Sequence, residues 1–273
     1  ILISELMYDP SVEGSAYLEL YNHSLEHVDL HDLKWSWTKS GSSSGHDAWV
    51  TEESYIIPPR TWVVLADQPR KLRRRFALSG SDHILEAPQT GTLPRSRGEI
   101  IVYDRSGIPL DLMHYHDSMH LAECAVTQGI SLERIDYECR GNGGSCWHSA
   151  AFSAGYGTPC RENSQYQAME ESPEILLHPR VFSPDNDGYE DLLHIYPGGA
   201  GGEVVSVSVF DPGGRRIRDL VHRVISGTAD HFYWDGTDAQ GHRVMPGIYV
   251  IQVVRTGQEG KKVSREACAI IYH

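Results

Sequence analysis

Val205-Ser206-Val207-Ser208-Val209 is the stretch whose reading decides the fold. Its apolar and polar residues alternate at period two, so a strand turns all three valines inward and both serines outward. Asp211-Pro212-Gly213-Gly214 follows as a turn, and residues 215–221 return as the partner strand. The same signature spreads outward. Ala16, Leu18 and Leu20 share one face of residues 16–21, and residues 61–66 and 99–103 are compact β-rich runs ended by Asp67 and Asp104. Residues 248–254 and 267–272 close the set. The one helix expected in the first half is short: Pro69 to Phe76, capped by Asp67 and rich in arginine. Strands at this spacing without long helices mean sandwiches or barrels and not βαβ units. The expectation is an all-β chain of two tandem immunoglobulin-like β-sandwich domains.

A length of 273 residues suits two domains. The pattern lapses between 158 and 173, which predicts a first domain over 1–165, a linker over 166–173 and a second domain over 174–273. The formal net charge is −13. That balance argues against nucleic-acid binding and against an anionic membrane surface, and leaves Ca²⁺ as a partner for the surplus carboxylates. No apolar run reaches the roughly 18–20 residues that span a bilayer. The sequence opens on a strand-like segment, so an export signal would be removed or belong to a longer precursor. No CxxC pair occurs among the five cysteines. Cys139 and Cys146 flank a Gly-rich loop that lets them meet; a bridge from Cys160 to Cys124, Cys139 or Cys146 is the other arrangement, and small buried apolar cysteines are the alternative to both. A bridge would imply an oxidising compartment.

Five ordered pieces carry a resemblance. They are Ile3-Ser4-Glu5-Leu6-Met7-Tyr8-Asp9-Pro10 with Tyr17-Leu18-Glu19-Leu20-Tyr21-Asn22, then Val64-Leu65-Ala66-Asp67, Ser131-Leu132-Glu133-Arg134, and Trp147-His148-Ser149 with Gly157-Thr158-Pro159. Residues 1–165 thereby resemble the lamin tail domain of bacterial secreted proteins. The resemblance implies an immunoglobulin-like sandwich used for binding or scaffolding, and brings no catalytic residues. The second half has Phe182-Ser183-Pro184-Asp185-Asn186-Asp187-Gly188, Val209-Phe210-Asp211, Trp234-Asp235-Gly236-Thr237-Asp238 and Pro246-Gly247-Ile248-Tyr249. It is similar to the immunoglobulin-like domain of flagellar hook-capping proteins and to C-terminal domains of type IX secretion cargo of Bacteroidota. Its last strand, residues 266–273, departs from the short basic ending of a cleaved sorting signal.

Asp185, Asp187 and Asp191, with the backbone carbonyl of Tyr189, are the candidate metal ligands. Carboxylates at alternate positions around a Gly turn can converge on a hard cation such as Ca²⁺. The bidentate Glu that ends an EF-hand loop is absent, and an acidic turn closed by its own Asx hydrogen bonds is the alternative. His114, His116 and His120 have a spacing that could serve a transition metal, but a loop after a strand is favoured. Residues 70–75 are a basic cluster, either a phosphate or glycan patch or the solvated face of the helix with Leu72 and Phe76 inward. Glu5 and Glu19 could face each other as a carboxylate pair, with solvent-face glutamates preferred. Trp35, Trp37 and Trp49 could form an exposed platform, with at least one of them in the core preferred. No G-x-S-x-G, H-E-x-x-H or P-loop occurs.

The function expected is that of a non-catalytic extracytoplasmic module, structural or binding, in a bacterial envelope or secreted protein. It would contact a protein partner in the outer membrane or cell envelope. The alternatives are a component of the type IX secretion or gliding machinery, and an accessory C-terminal region of a secreted hydrolase or nuclease.

Overall fold

The computed structural model describes residues 1–39, 45–122, 124, 126–139, 144–166, 175–199, 201–257 and 260–272. Strands dominate, and the chain divides into two compact units, Ile1–Tyr166 and Gln167–His273. The segment expected as a linker lies, from residue 167 on, outside the described residues. No helix among the described residues is long and apolar enough to cross a membrane.

In the first unit a six-stranded sheet runs in the order Trp147–Ser149, Leu132–Arg134, Leu2–Met7, Tyr17–Tyr21, Trp62–Ala66, Ile84–Glu86. The first five strands are those whose residues carry the lamin-tail resemblance, so the scattered pieces are one contiguous patch of sheet. A four-stranded sheet lies in the order Pro109–His116, Arg97–Asp104, Leu33–Lys39, His46–Trp49. Alternation sends Ile3, Leu18, Leu20, Val63, Leu65 and Leu132 from the first sheet into one core with Trp35, Trp37, Ile100, Val102, Met113 and Tyr115 from the second. Trp35 and Trp37 stack with ring centroids 4.4 Å apart and are 0% and 5% exposed. They are core residues, in line with the preferred reading that at least one of the three tryptophans is buried; Trp49 alone of the three is on the surface.

The helix Pro69–Phe76 forms as expected, but its cap differs. Gln68 occupies the N-cap position without a side-chain bond, and Asp67 stands one residue outside. Leu72 is fully buried against Met7, Tyr17, Val64 and Ala66, with Phe76 packed beside them. The helix therefore covers the outer face of the six-stranded sheet, which ends up buried on both faces.

In the second unit the sheets are Leu176–His178, Leu193–Tyr196, Phe232–Trp234, and Val181–Phe182, Gly260–Ile270, Gly247–Gly257, Val204–Phe210, Arg216–Ile225, each in spatial order. Val205, Val207 and Val209 are buried, while Ser206 and Ser208 are half-buried on the other face. Trp234, fully buried, donates from Nε1 to the Thr237 carbonyl at 2.9 Å. Thr237 in turn donates to Asp235 Oδ1 at 2.7 Å, so the Trp-Asp-Gly-Thr-Asp motif is a self-bonded corner. Gly236 (φ +70°) sits so close to Pro184 that a Cβ would lie 2.5 Å from its ring, which only glycine tolerates.

Candidate functional site

Glu133, Glu5 and Glu19 form a row across three adjacent strands of the six-stranded sheet. Glu5 is in register with Glu133 on one side and with Glu19 on the other. All three are 0% exposed. They point to the outer face, where solvent was expected. Residues 157–165 instead cross that face and cover the carboxylates. This corrects the solvent-face reading of Glu5 and Glu19, and Glu133 joins them as a member that spacing alone did not single out. Its only signal was its place in the Ser131-Leu132-Glu133-Arg134 piece.

The covering segment is fixed by the row itself. The Thr158 amide donates to Glu5 Oε1 at 3.0 Å, and the Cys160 amide donates to Glu19 Oε2 at 2.6 Å. The Gln165 amide and the Ser164 hydroxyl reach Glu133 Oε2 at 2.9 and 2.7 Å. The Thr158 hydroxyl donates to Glu133 Oε1 at 2.7 Å. From the sheet, Tyr17 donates to Glu5 at 2.7 Å, Ser131 also donates to Glu5, and Ser4 donates to Glu19 at 2.6 Å. The Asn163 amide side chain reaches the carbonyls of Ser4 and Arg134 at 2.8 and 2.9 Å.

No Lys or Arg pairs with these carboxylates among the described residues. Burial without a counter-ion disfavours the charged form. Burial raises all three above the ordinary carboxylate range; the charge of Glu5 adds to this at Glu19 and Glu133, and Glu133 is pushed up to about 8. Glu5, with three donors on Oε1, is the best-solvated member and the natural seat of the negative charge. Every donor comes from the chain, so the arrangement binds its own backbone. It is a buried polar network that is satisfied internally.

The other sequence candidates are placed as follows. Asp185, Asp187 and Asp191 come together, with one oxygen of each within 4.8 Å of the others. The same turn is closed by its own amides: Asp191 accepts from Asn186 at 2.5 Å and Gly188 at 2.8 Å, and Asp187 accepts from the Tyr189 amide at 2.8 Å. His114, His116 and His120 do not converge. His114 faces Glu99 at 3.1 Å, His116 caps Ser118, and His120 is buried beside Ser149, where burial lowers its imidazole to about 4. The basic helix spends its charge on neighbouring loops: Arg74 pairs with Glu13 at 2.9 Å, Lys71 reaches the Val12 carbonyl, and Arg73 reaches the carbonyls of Ser79 and Asp82. The recess beside it, between Pro10, Ser11, Tyr17, Arg75 and Phe76, is too shallow to enclose even a water molecule. Small-molecule pockets usually measure roughly 300–1,000 Å³.

Cys139 and Cys146 form a disulfide, and Cys160 and Cys268 are free thiols. In the second unit the outer face of the three-stranded sheet is exposed and largely aromatic. Leu176, Tyr196 and Tyr233 are 55%, 39% and 62% exposed there, interleaved with His178, His194 and His231.

No family model matches the chain, and no curated protein matches it. Solved structures do, at a distance. CopC from Methylosinus trichosporium OB3b is 18% identical over 30% of this chain and 78% of its own, with a TM-score of 0.22. Dimeric latent PorU from Porphyromonas gingivalis is 11% identical over 95% of this chain, with a TM-score of 0.29. PorZ, a surface component of the type IX secretion system of the same organism, is 16% identical over 64% of this chain, with a TM-score of 0.28. The chain spans 18% of PorU and 21% of PorZ. At these scores the likenesses carry no argument about what the chain does.

Proposed function

We propose that the chain is a non-catalytic structural and binding module of a cell-envelope or secreted protein, attaching a protein partner outside the cytoplasm. The observation that carries this reading is the exposed Leu176, Tyr196 and Tyr233 face on a sheet whose other face is well packed. Contiguous exposed aromatic surface of this kind suits a protein contact. The Cys139–Cys146 disulfide supports an oxidising location. The glutamate row supports the absence of chemistry at the first unit's sheet, because its carboxylates are occupied by the chain's own donors. The test is binding of the purified chain to isolated outer-membrane and envelope fractions. The wild-type chain is retained, and the Tyr196→Ser/Tyr233→Ser variant is released with an unchanged unfolding midpoint. Equal retention of both, or none of either, would contradict the reading. The finer placement, in the type IX secretion or gliding machinery, rests on the second half's resemblance. Co-purification with an outer-membrane complex tests it.

A second reading concerns the Asp185, Asp187 and Asp191 turn. Its three converging carboxylate oxygens are donors of the kind Ca²⁺ takes; the Tyr189 carbonyl is the fourth ligand the sequence suggests. Calorimetric titration with Ca²⁺ gives heat that Asp187→Asn diminishes; no heat at millimolar ion excludes the site.

A further inference from the structure

The outer face of the three-stranded sheet holds a second chemistry. His178 is directly opposite His194 across the antiparallel pair Leu176–His178 and Leu193–Tyr196. Tyr233 is opposite His194 on the other side, and Ile195 is opposite Phe232, which sets His231 diagonal to His194. Leu193 and Ile195 are buried, so His194 between them points outward; His178 and His231 are exposed. Three imidazoles therefore zigzag across three strands on one open face.

One ring spacing is compatible with a shared ion. The rings of His194 and His231 have centroids 6.0 Å apart. A metal–nitrogen bond of about 2.1 Å puts a ligating ring's centroid roughly 3.2 Å from the ion, so two ligating imidazoles lie about 5–6.5 Å apart. Directly opposed strand positions have Cβ atoms about 4.5–5.5 Å apart, which lets His178 reach the same point as His194. As placed, the three side chains are not a converged set; among the described residues only the Asp185 turn is. His178 completes the set by rotating an exposed side chain about two torsions. His231 also stacks on Tyr196, centroids 5.8 Å apart, which holds its ring in place.

We propose that His178, His194 and His231 bind a divalent transition ion of the Zn²⁺ and Cu²⁺ class on this face. Imidazole nitrogen selects that class over Ca²⁺ or Mg²⁺, which prefer oxygen. The site is distinct from the Asp185 turn in both residues and chemistry, and it stands whether or not the tyrosines beside it dock a partner.

The experiment is titration of the intact chain with Cu²⁺, read by calorimetry and by electron paramagnetic resonance. The expected result is a tightest-binding equivalent with a nitrogen-ligated spectrum. His178→Ala, His194→Ala and His231→Ala each weaken it roughly tenfold or more, in proteins with unchanged circular dichroism. His242→Ala, an exposed histidine beside Asp238, leaves it unchanged. Absence of nitrogen-ligated Cu²⁺, or an affinity that any one of the three substitutions fails to lower, overturns the proposal.

Discussion

Glu133 shows at one residue what the first unit is built on. It is fully buried, accepts from Thr158, Ser164 and Gln165, and has the Glu5 carboxylate opposite it. Its proton is held up to about 8 in the fold, against about 4.3 in an unfolded chain. Between those values the folded state binds more protons than the unfolded one, so stability is greatest below the lower value and is lost as pH rises toward the upper. The first unit is therefore expected to lose a few kcal/mol between pH 5 and 8.5, roughly 2–4 °C in midpoint per kcal/mol, read by thermal unfolding. Glu133→Gln should flatten that fall and raise the midpoint at pH 8.5. Its amide oxygen can accept from Ser164 and Gln165 while its NH₂ donates to the Thr158 hydroxyl. Glu133→Ala should cost about 3 kcal/mol or more at every pH, because it leaves a cavity and unpaired donors. A midpoint independent of pH in the wild-type chain would contradict this account.

The closing segment 157–165 is the element that turns the glutamates into a lock. It has no periodicity, and its amides bond to side chains and not to a neighbouring strand. That is why the row was only half legible in the sequence. Alternation states which residues share a face, and it placed Leu18, Leu20 and the three valines correctly. It does not state whether an aperiodic segment covers the opposite face. Trp35 and Trp37 flank a polar Ser/Gly loop, yet their strand lies between two others and turns both into the core, where the sequence reading preferred at least one tryptophan. The Asp67 cap was misplaced because the helix starts at Pro69, as expected, which makes Gln68 the N-cap and leaves Asp67 one residue outside. The convergence of the second unit's Asp185 turn was legible, since its residues lie in one short loop. The histidine face was not, because His178 and His194 come from two strands and His231 precedes a third. The lock predicts a sensitive glycine. A Cβ at Gly157 would lie 2.6 Å from the Tyr17 hydroxyl and 2.9 Å from the Phe76 ring. Gly157→Ala should therefore destabilise the first unit by about 1–3 kcal/mol in chemical denaturation. Gly80→Ala, where a Cβ meets nothing within 4 Å, should be close to neutral.

At the scale of the whole molecule, the two units have separate cores. The described disulfide belongs to the first, and it closes a short loop with a sequence separation of 7. Loop-closure entropy for such a loop is worth about 2 kcal/mol. Reduction should lower the first unit's unfolding transition by several degrees and leave the second unit's in place, which scanning calorimetry with and without reductant would resolve. A single transition shifted as a whole would show that the units unfold together. Internal carboxylates in one unit and an open aromatic face in the other fit a protein that holds and contacts.

The most direct test is a pH titration of the native chain with ¹³C-labelled glutamate carboxyls, Glu5, Glu19 and Glu133 being assigned by their Gln variants. The account predicts that Glu133 stays protonated at pH 6 and ionises near 8, with Glu19 also displaced upward. Three ordinary carboxylate midpoints near about 4.3 would mean that the row is open to water, and the interior lock would be wrong.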